Sequence, residues 1–169
     1  MKRLIIYTLE IIICFLLQST LYGFISLADI MPNILLILVV SSAYMRGRMT
    51  GLLLGLFSGL LLDLSSGDYI VGLYALMYML IGYFIGFTHK YYSNDDYTLP
   101  IIIIAVSDLI YGFFFYIFEF LLRGRLNILF YLRRLILPEI IYTVAVSIIL
   151  YKLLHTINNH LERRQDKEV

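Results

Sequence analysis

The chain alternates long apolar stretches with short polar segments, and this pattern predicts an all-α protein. About 20 apolar helical residues are needed to cross a bilayer. The pattern predicts six transmembrane helices, at about 4–25, 30–45, 49–66, 71–89, 98–122 and 135–155. The second and third are short and meet at the basic turn Arg46–Gly47–Arg48, where two full crossings are favoured and a re-entrant pair is the alternative. Pro32 suits the first turn of the second helix, where its missing N–H costs little.

Small residues recur at unbroken four-residue intervals in the third helix. In GLLLGLFSGLLLDLSSG, residues 51–67, these intervals hold Gly51, Gly55, Gly59, Asp63 and Gly67. Positions four apart form a ridge along one flank of a helix, and small residues there let a second backbone approach closely. The fourth helix carries a matching row, made of Tyr74, Tyr78, Gly82 and Gly86. The rows predict packing of the two helices within the chain, with an interface in a homo-oligomer as the alternative.

Acidic residues lie inside apolar spans. Asp108 is near the middle of the fifth helix and shares a face with Tyr111, Gly112, Phe115 and Glu119. Intramembrane acids are a functional signal by default, although such groups can also serve only to fix the arrangement of helices. The same two interpretations apply to Asp63 and Glu139. A weakly polar row on the first helix, also expected to face inward, consists of Glu10, Cys14 and Gln18.

Basic residues in short loops predict the orientation, because they favour the cytoplasmic side. With the N-terminus inside, nine basic residues are cytoplasmic, namely Lys2, Arg3, Arg46, Arg48, Lys90, Lys152, Arg163, Arg164 and Lys167. Four lie outside, namely Arg123, Arg125, Arg133 and Arg134. Both termini are therefore predicted in the cytoplasm. The outer arginines have acids nearby to pair with, namely Asp29, Asp63, Asp68, Glu119 and Glu139. The segment LNILFYL, residues 126–132, is expected in the outer interface.

Composition agrees with an integral membrane protein, because 61% of the 169 residues are hydrophobic and 15% are charged. We expect one six-helix membrane domain, 1–155, and a charged cytoplasmic tail, 156–169. The first apolar run is expected to be an uncleaved span and not a secretory signal. A net charge of +1 argues against a nucleic-acid partner, and the single Cys14 excludes an internal disulfide. No histidine, serine or glycine pattern predicts a catalytic, metal or phosphate site, so neither an enzyme nor a cofactor is expected.

Residues 32–86 resemble the signature region of the rod-shape-determining MreD family. The matching elements there are the glycine row together with Pro32–Asn33, Arg46–Gly47–Arg48, Asp63, Ser66–Gly67 and Gly72–Leu73. A second match is LPEIIYT, residues 137–143, at the start of the last span. The chain departs from the family pattern at Asn33, where an aspartate is common.

The resemblance implies a non-enzymatic scaffold and regulator of cell-wall elongation in the bacterial plasma membrane. Its implied partners are MreC, a bitopic protein, the peptidoglycan polymerase and transpeptidase, and the actin-like MreB. The family is also similar to the S components of vitamin (ECF-type) transporters, so a substrate-binding S component is the alternative. A lipid-handling activity on a wall precursor is a third possibility. The outer end, with Asp63, Glu139 and the outer arginines, is predicted to recognise the partner.

Overall fold

A computed structural model describes residues 2–24, 31–66, 72–93, 96–118 and 128–165. Their helices are α1 (Lys2–Phe24), α2 (Ile34–Arg46), α3 (Arg48–Ser66), α4 (Leu73–Ile85), α5 (Thr98–Tyr116), α6 (Ile128–Tyr131) and α7 (Leu137–Gln165). A 3₁₀ helix, Gly86–Tyr91, extends α4, and a π-helical stretch, Leu132–Ile136, joins α6 to α7. These ranges contain no strand, which confirms the all-α prediction.

Helix α2 is the centre of the bundle. Every residue from Ile34 to Met45 is buried. A helix that is apolar on all sides needs neighbours on all sides, and α2 has them, because it packs against α1, α3, α4, α5 and α7. The remaining helices bury one face each and expose large apolar side chains on the other, such as Phe57, Phe113 and Ile149.

Three helices are long and apolar enough to cross a membrane, over Arg48–Ser65, Thr98–Tyr116 and Leu129–His160. Two shorter apolar helices cover Ile5–Thr20 and Ile34–Arg46. At about 1.5 Å per residue, the 13 residues of α2 extend about 20 Å, less than the roughly 30 Å of a hydrocarbon core. Six crossings were predicted, and three of the described helices have the length and composition that a crossing needs.

The last helix is longer than predicted at both ends. The expected range was 135–155, but the described backbone is helical from Ile128 to Gln165. Pro138 has no N–H to continue the α-helical bonding. The turn before it widens, and the Leu137 N–H bonds to the Leu132 carbonyl, five residues back. The helix also continues into the predicted tail, because Asn158 is buried against the bundle.

The start of α2 also differs from the prediction. The helix begins at Ile34, so Pro32 precedes the helix and does not occupy its first turn. Asn33 is the N-cap because its side-chain Oδ1 accepts a hydrogen bond from the Leu36 N–H, at 3.2 Å. At the other end of α2, Gly47 alone separates α2 from α3, in the predicted tight turn. Its φ of 91° favours glycine.

Candidate functional site

The glycine row of α3 lies directly against the backbone of α4. Gly51, Gly55 and Gly59 are all buried. A Cβ atom at Gly55 would overlap the carbonyl group of Tyr78, and one at Gly59 would overlap the backbone of Ala75. Glycine therefore permits backbone-to-backbone contact between the two helices.

The matching glycines of α4 and of its 3₁₀ extension contribute to the same interface. A Cβ atom at Gly82 would overlap the Gly51 carbonyl, and one at Gly86 would overlap the backbone of Arg48. The three glycines of α3 are thus covered by the chain itself, and none of them lies open to a second subunit. Gly67, the last position of the predicted row, lies outside the described residues.

Asp63 caps α4 from the end of α3. Its Oδ2 accepts a hydrogen bond from the Ala75 N–H at 2.9 Å, and its Oδ1 accepts one from the Tyr74 N–H at 3.3 Å. The first N–H groups of a helix need such acceptors, and the N-cap residue Gly72 has no side chain to provide one. The sequence suggested that Asp63 pairs with an arginine. Among the described residues, it instead accepts hydrogen bonds from two backbone amides.

Four buried side chains meet deep in the bundle, and we call them the inner polar cluster: Asn33, Tyr78, Asp108 and Thr143. The Asn33 N–H donates to Thr143 Oγ1 at 3.2 Å. The Tyr78 hydroxyl donates to Asn33 Oδ1. The hydrogen bonds of the cluster join the cap of α2 to α4 and α7, and Asp108 of α5 lies beside them.

Asp108 is the acid of this cluster, and it is 2% exposed. Thr143 and Asn33 are polar neighbours of its carboxyl group, but neither Asp108 oxygen accepts a hydrogen bond of ordinary geometry from a described residue. Glu139 is half-buried nearby. The predicted inward face is present, since Tyr111 and Gly112 are buried with Asp108. Glu119 lies outside the described residues.

A second polar site lies at the other end of α2. Arg46 donates two hydrogen bonds to Glu10, at 2.8 and 2.9 Å, and both side chains are 6% exposed. Arg46 Nε donates to Asn158 Oδ1 at 3.0 Å, and the guanidinium lies 4.6 Å from the centre of the Tyr7 ring. This ion pair ties α1, α2 and α7 together. The sequence predicted that Glu10 faces inward and placed Arg46 in the basic cytoplasmic turn, but it did not predict that the two residues pair.

Side chains from other helices thus bind both ends of α2. Gln18 on α1 accepts a hydrogen bond from the Leu35 N–H at 2.9 Å, in the first turn of α2. Helix α7 contacts the start of α2 through Thr143 and its end through Asn158. The two helices therefore run parallel.

His155 is a buried group that the sequence did not single out. Its Nδ1 lies 3.2 Å from the Tyr92 hydroxyl, and its Nε2 lies 3.0 Å from the Asn159 amide nitrogen. The rings of Tyr97 and Tyr151 also contact His155. Within the described ranges no group of three or more His, Cys, Asp or Glu residues could hold a metal ion.

Arg133 and Arg134 lie in exposed positions on the π-helical stretch. With Leu129 and Phe130 they line an open cavity of about 560 Å³. Asn158 of α7 bonds to Arg46, so Arg133 and Arg134, at the start of the same long helix, lie at the opposite end of the bundle. The other two outer arginines, Arg123 and Arg125, lie outside the described residues.

These features define a class: an all-helical protein whose exposed apolar helices suit a membrane and whose core is tied together by buried polar contacts. The chain belongs to the MreD family, because the family model described as rod shape-determining protein MreD matches residues 1–159. Membership confirms the resemblance found in the sequence and is consistent with a role in determining rod shape. No curated protein and no solved structure matches the chain.

Proposed function

We propose that the protein is a non-enzymatic membrane scaffold that maintains rod shape together with a single-span partner resembling MreC. The observation that carries the proposal is the family match over residues 1–159. That range includes the glycine row, the inner polar cluster and the Glu10–Arg46 ion pair. Their contacts hold helices in fixed positions, which suits a protein that presents a rigid surface to others. Other wall-elongation proteins, among them MreB and the polymerase and transpeptidase, belong to the same proposed assembly.

The proposed topology has six crossings with both termini in the cytoplasm. Besides the excess of basic residues on one side, the contacts of Arg46 support it. Glu10, near the start of α1, and Asn158, near the end of α7, both bond to Arg46. Glu10 and Asn158 therefore lie at the same end of the bundle, as this topology requires.

Single cysteines test this topology. In a Cys14→Ser background, we expect Ser65→Cys and Asn127→Cys to react with an impermeant thiol reagent applied to intact cells, and Asn94→Cys to react only after the membrane is opened. Solubilised protein labelled at all three positions serves as the control. Labelling of Asn94→Cys in intact cells, or none of Asn127→Cys, would be incompatible with six crossings.

The outer end is the proposed site of partner recognition. Glu139→Arg is the variant of choice, because Asp63 is committed to capping α4 and its replacement would disturb the fold. We expect Glu139→Arg to reduce recovery of the MreC-like partner in a detergent pull-down by about tenfold, as for a central interface residue, and to give rounded cells. Insertion is checked separately by the amount of protein in the membrane.

The matched control is Lys152→Glu, which also reverses a charge, at an exposed position more than three helical turns from Glu139 on α7. We expect it to leave cell shape and partner recovery unchanged. Normal rods and full recovery of the partner with Glu139→Arg would remove the outer end from the mechanism. Failure of the unaltered chain to retain the partner at all would contradict the scaffold proposal itself.

A further inference from the structure

Two adjacent arginines at one end of the bundle have no acidic partner in the described structure. Arg133 and Arg134 are exposed, and neither forms an ion pair with a described residue. The guanidinium of Arg134 lies 5.4 Å from the centre of the Phe130 ring. Arg46, in contrast, is buried and paired with Glu10. Among the described residues, no carboxylate therefore pairs with the positive charge of the outer pair.

Apolar side chains stand one turn away from these arginines. Leu129 is 76% exposed and Phe130 is 51% exposed. Together with Arg133 and Arg134 they line the cavity of about 560 Å³. Such a surface suits a ligand with an apolar part, which contacts Leu129 and Phe130, and an anionic part, which contacts the two arginines.

The location of the cavity selects the kind of ligand. The apolar span that includes α7 begins at Leu129, so Arg133 and Arg134 lie in its first two turns. Residues near the end of a span reach the level of the lipid headgroups, and long basic side chains extend toward them. Phosphate groups of the bilayer are found at that level. Guanidinium groups bind phosphate with two parallel hydrogen bonds, which an ammonium group does not.

We infer that Leu129, Phe130, Arg133 and Arg134 form a binding site for an anionic phospholipid of the leaflet at this end of the bundle. The two guanidinium groups hold the phosphate, and the acyl chains lie on Leu129 and Phe130. The exposed apolar residues in the lining favour a lipid over a soluble phosphate. The inference does not depend on the proposed partner, because it concerns only the protein and the bilayer.

The test uses the purified full chain in detergent, with lipid binding measured by native mass spectrometry. The probes are phosphatidylglycerol and phosphatidylcholine with the same acyl chains. We expect the chain to prefer phosphatidylglycerol, and the double variant Arg133→Gln/Arg134→Gln to bind it about 30-fold more weakly. Phe130→Ala, which keeps both charges, is expected to weaken binding several-fold.

The control is Arg48→Gln, because Arg48 is also exposed and also lies over an aromatic ring, with its guanidinium 4.7 Å from the centre of the Phe87 ring. Arg48→Gln should bind phosphatidylglycerol as the unaltered chain does. Equal affinity for the two lipids, or an equal loss in the control and the double variant, would overturn the inference. Displacement of the lipid by an equal concentration of inorganic phosphate would also overturn it, by identifying free phosphate as the ligand.

Discussion

Gly55→Leu and Gly59→Leu should each abolish most of the folded protein. The added side chain would begin at a Cβ atom that overlaps backbone atoms of α4, near Tyr78 for Gly55 and near Ala75 for Gly59. Backbone cannot rotate away as a flexible side chain can, so α3 and α4 must separate along their length. Overpacking typically costs about 1–3 kcal/mol and occasionally more, and we expect a loss of folding free energy at or above the top of that range.

The measurement is the amount of monodisperse protein recovered in detergent, together with its midpoint of thermal unfolding. Leu53→Ala is the matched control, because Leu53 is on the same helix but is 52% exposed. Its loss should remove only contact with lipid or detergent. If Gly55→Leu, Gly59→Leu and Leu53→Ala gave equal yields and equal midpoints, the glycine row would have no packing role.

The second large effect is expected at the buried ion pair. Glu10→Ala leaves the Arg46 guanidinium buried without its carboxylate, which typically costs about 3–5 kcal/mol. Replacing both residues in Glu10→Leu/Arg46→Leu leaves no buried charge, so this variant should be much more stable than Glu10→Ala. Glu10→Ala is therefore expected to lower the free energy of unfolding more than Glu10→Leu/Arg46→Leu does.

A double-mutant cycle measured by thermal unfolding gives this coupling, with Glu10→Leu and Arg46→Leu as its two single variants and Glu10→Leu/Arg46→Leu as the double variant. Arg48→Gln is the control for loss of a neighbouring arginine, and its effect should stay within about 0.5 kcal/mol because the side chain is exposed. Additive effects of the Glu10 and Arg46 substitutions would show that the two side chains do not stabilise each other.

Features that repeat along one helix could be predicted from the sequence. The glycines at four-residue intervals predicted a close-packed flank, and the structure has such a flank against α4. The spacing of Asp108, Tyr111 and Gly112 likewise placed them on one inward face. Helical periodicity carries this information locally, so no knowledge of the rest of the fold was needed.

Contacts between distant positions could not be predicted in this way. Glu10 and Arg46 are 36 residues apart, and Asn33 and Thr143 are 110 apart. A single sequence shows that each side chain is polar but does not show which other polar group it meets. The cap that Asp63 gives to α4 was missed for the same reason, although the absence of a side chain at the N-cap Gly72 was a visible signal.

Both ends of the last helix differ from the prediction. Charged residues near the C-terminus suggested a tail, but the helix there continues because Asn158 and His155 are buried against the bundle. At its start, Pro138 lies within the helical stretch, where its missing N–H interrupts regular α-helical bonding. The backbone bypasses the missing N–H with a wider turn, which a propensity scale does not anticipate.

The contacts that α7 makes at both ends of α2 determine when the bundle can be completed. A chain is synthesised from its N-terminus, so α2 exists well before Thr143 and Asn158, which bond to its two ends. A chain interrupted before α7 leaves the Asn33 N–H without its acceptor and Arg46 without one of its acceptors. Helix α7 is made after α2 and completes the contacts at both of its ends, so a chain stopped before α7 carries unsatisfied polar groups there.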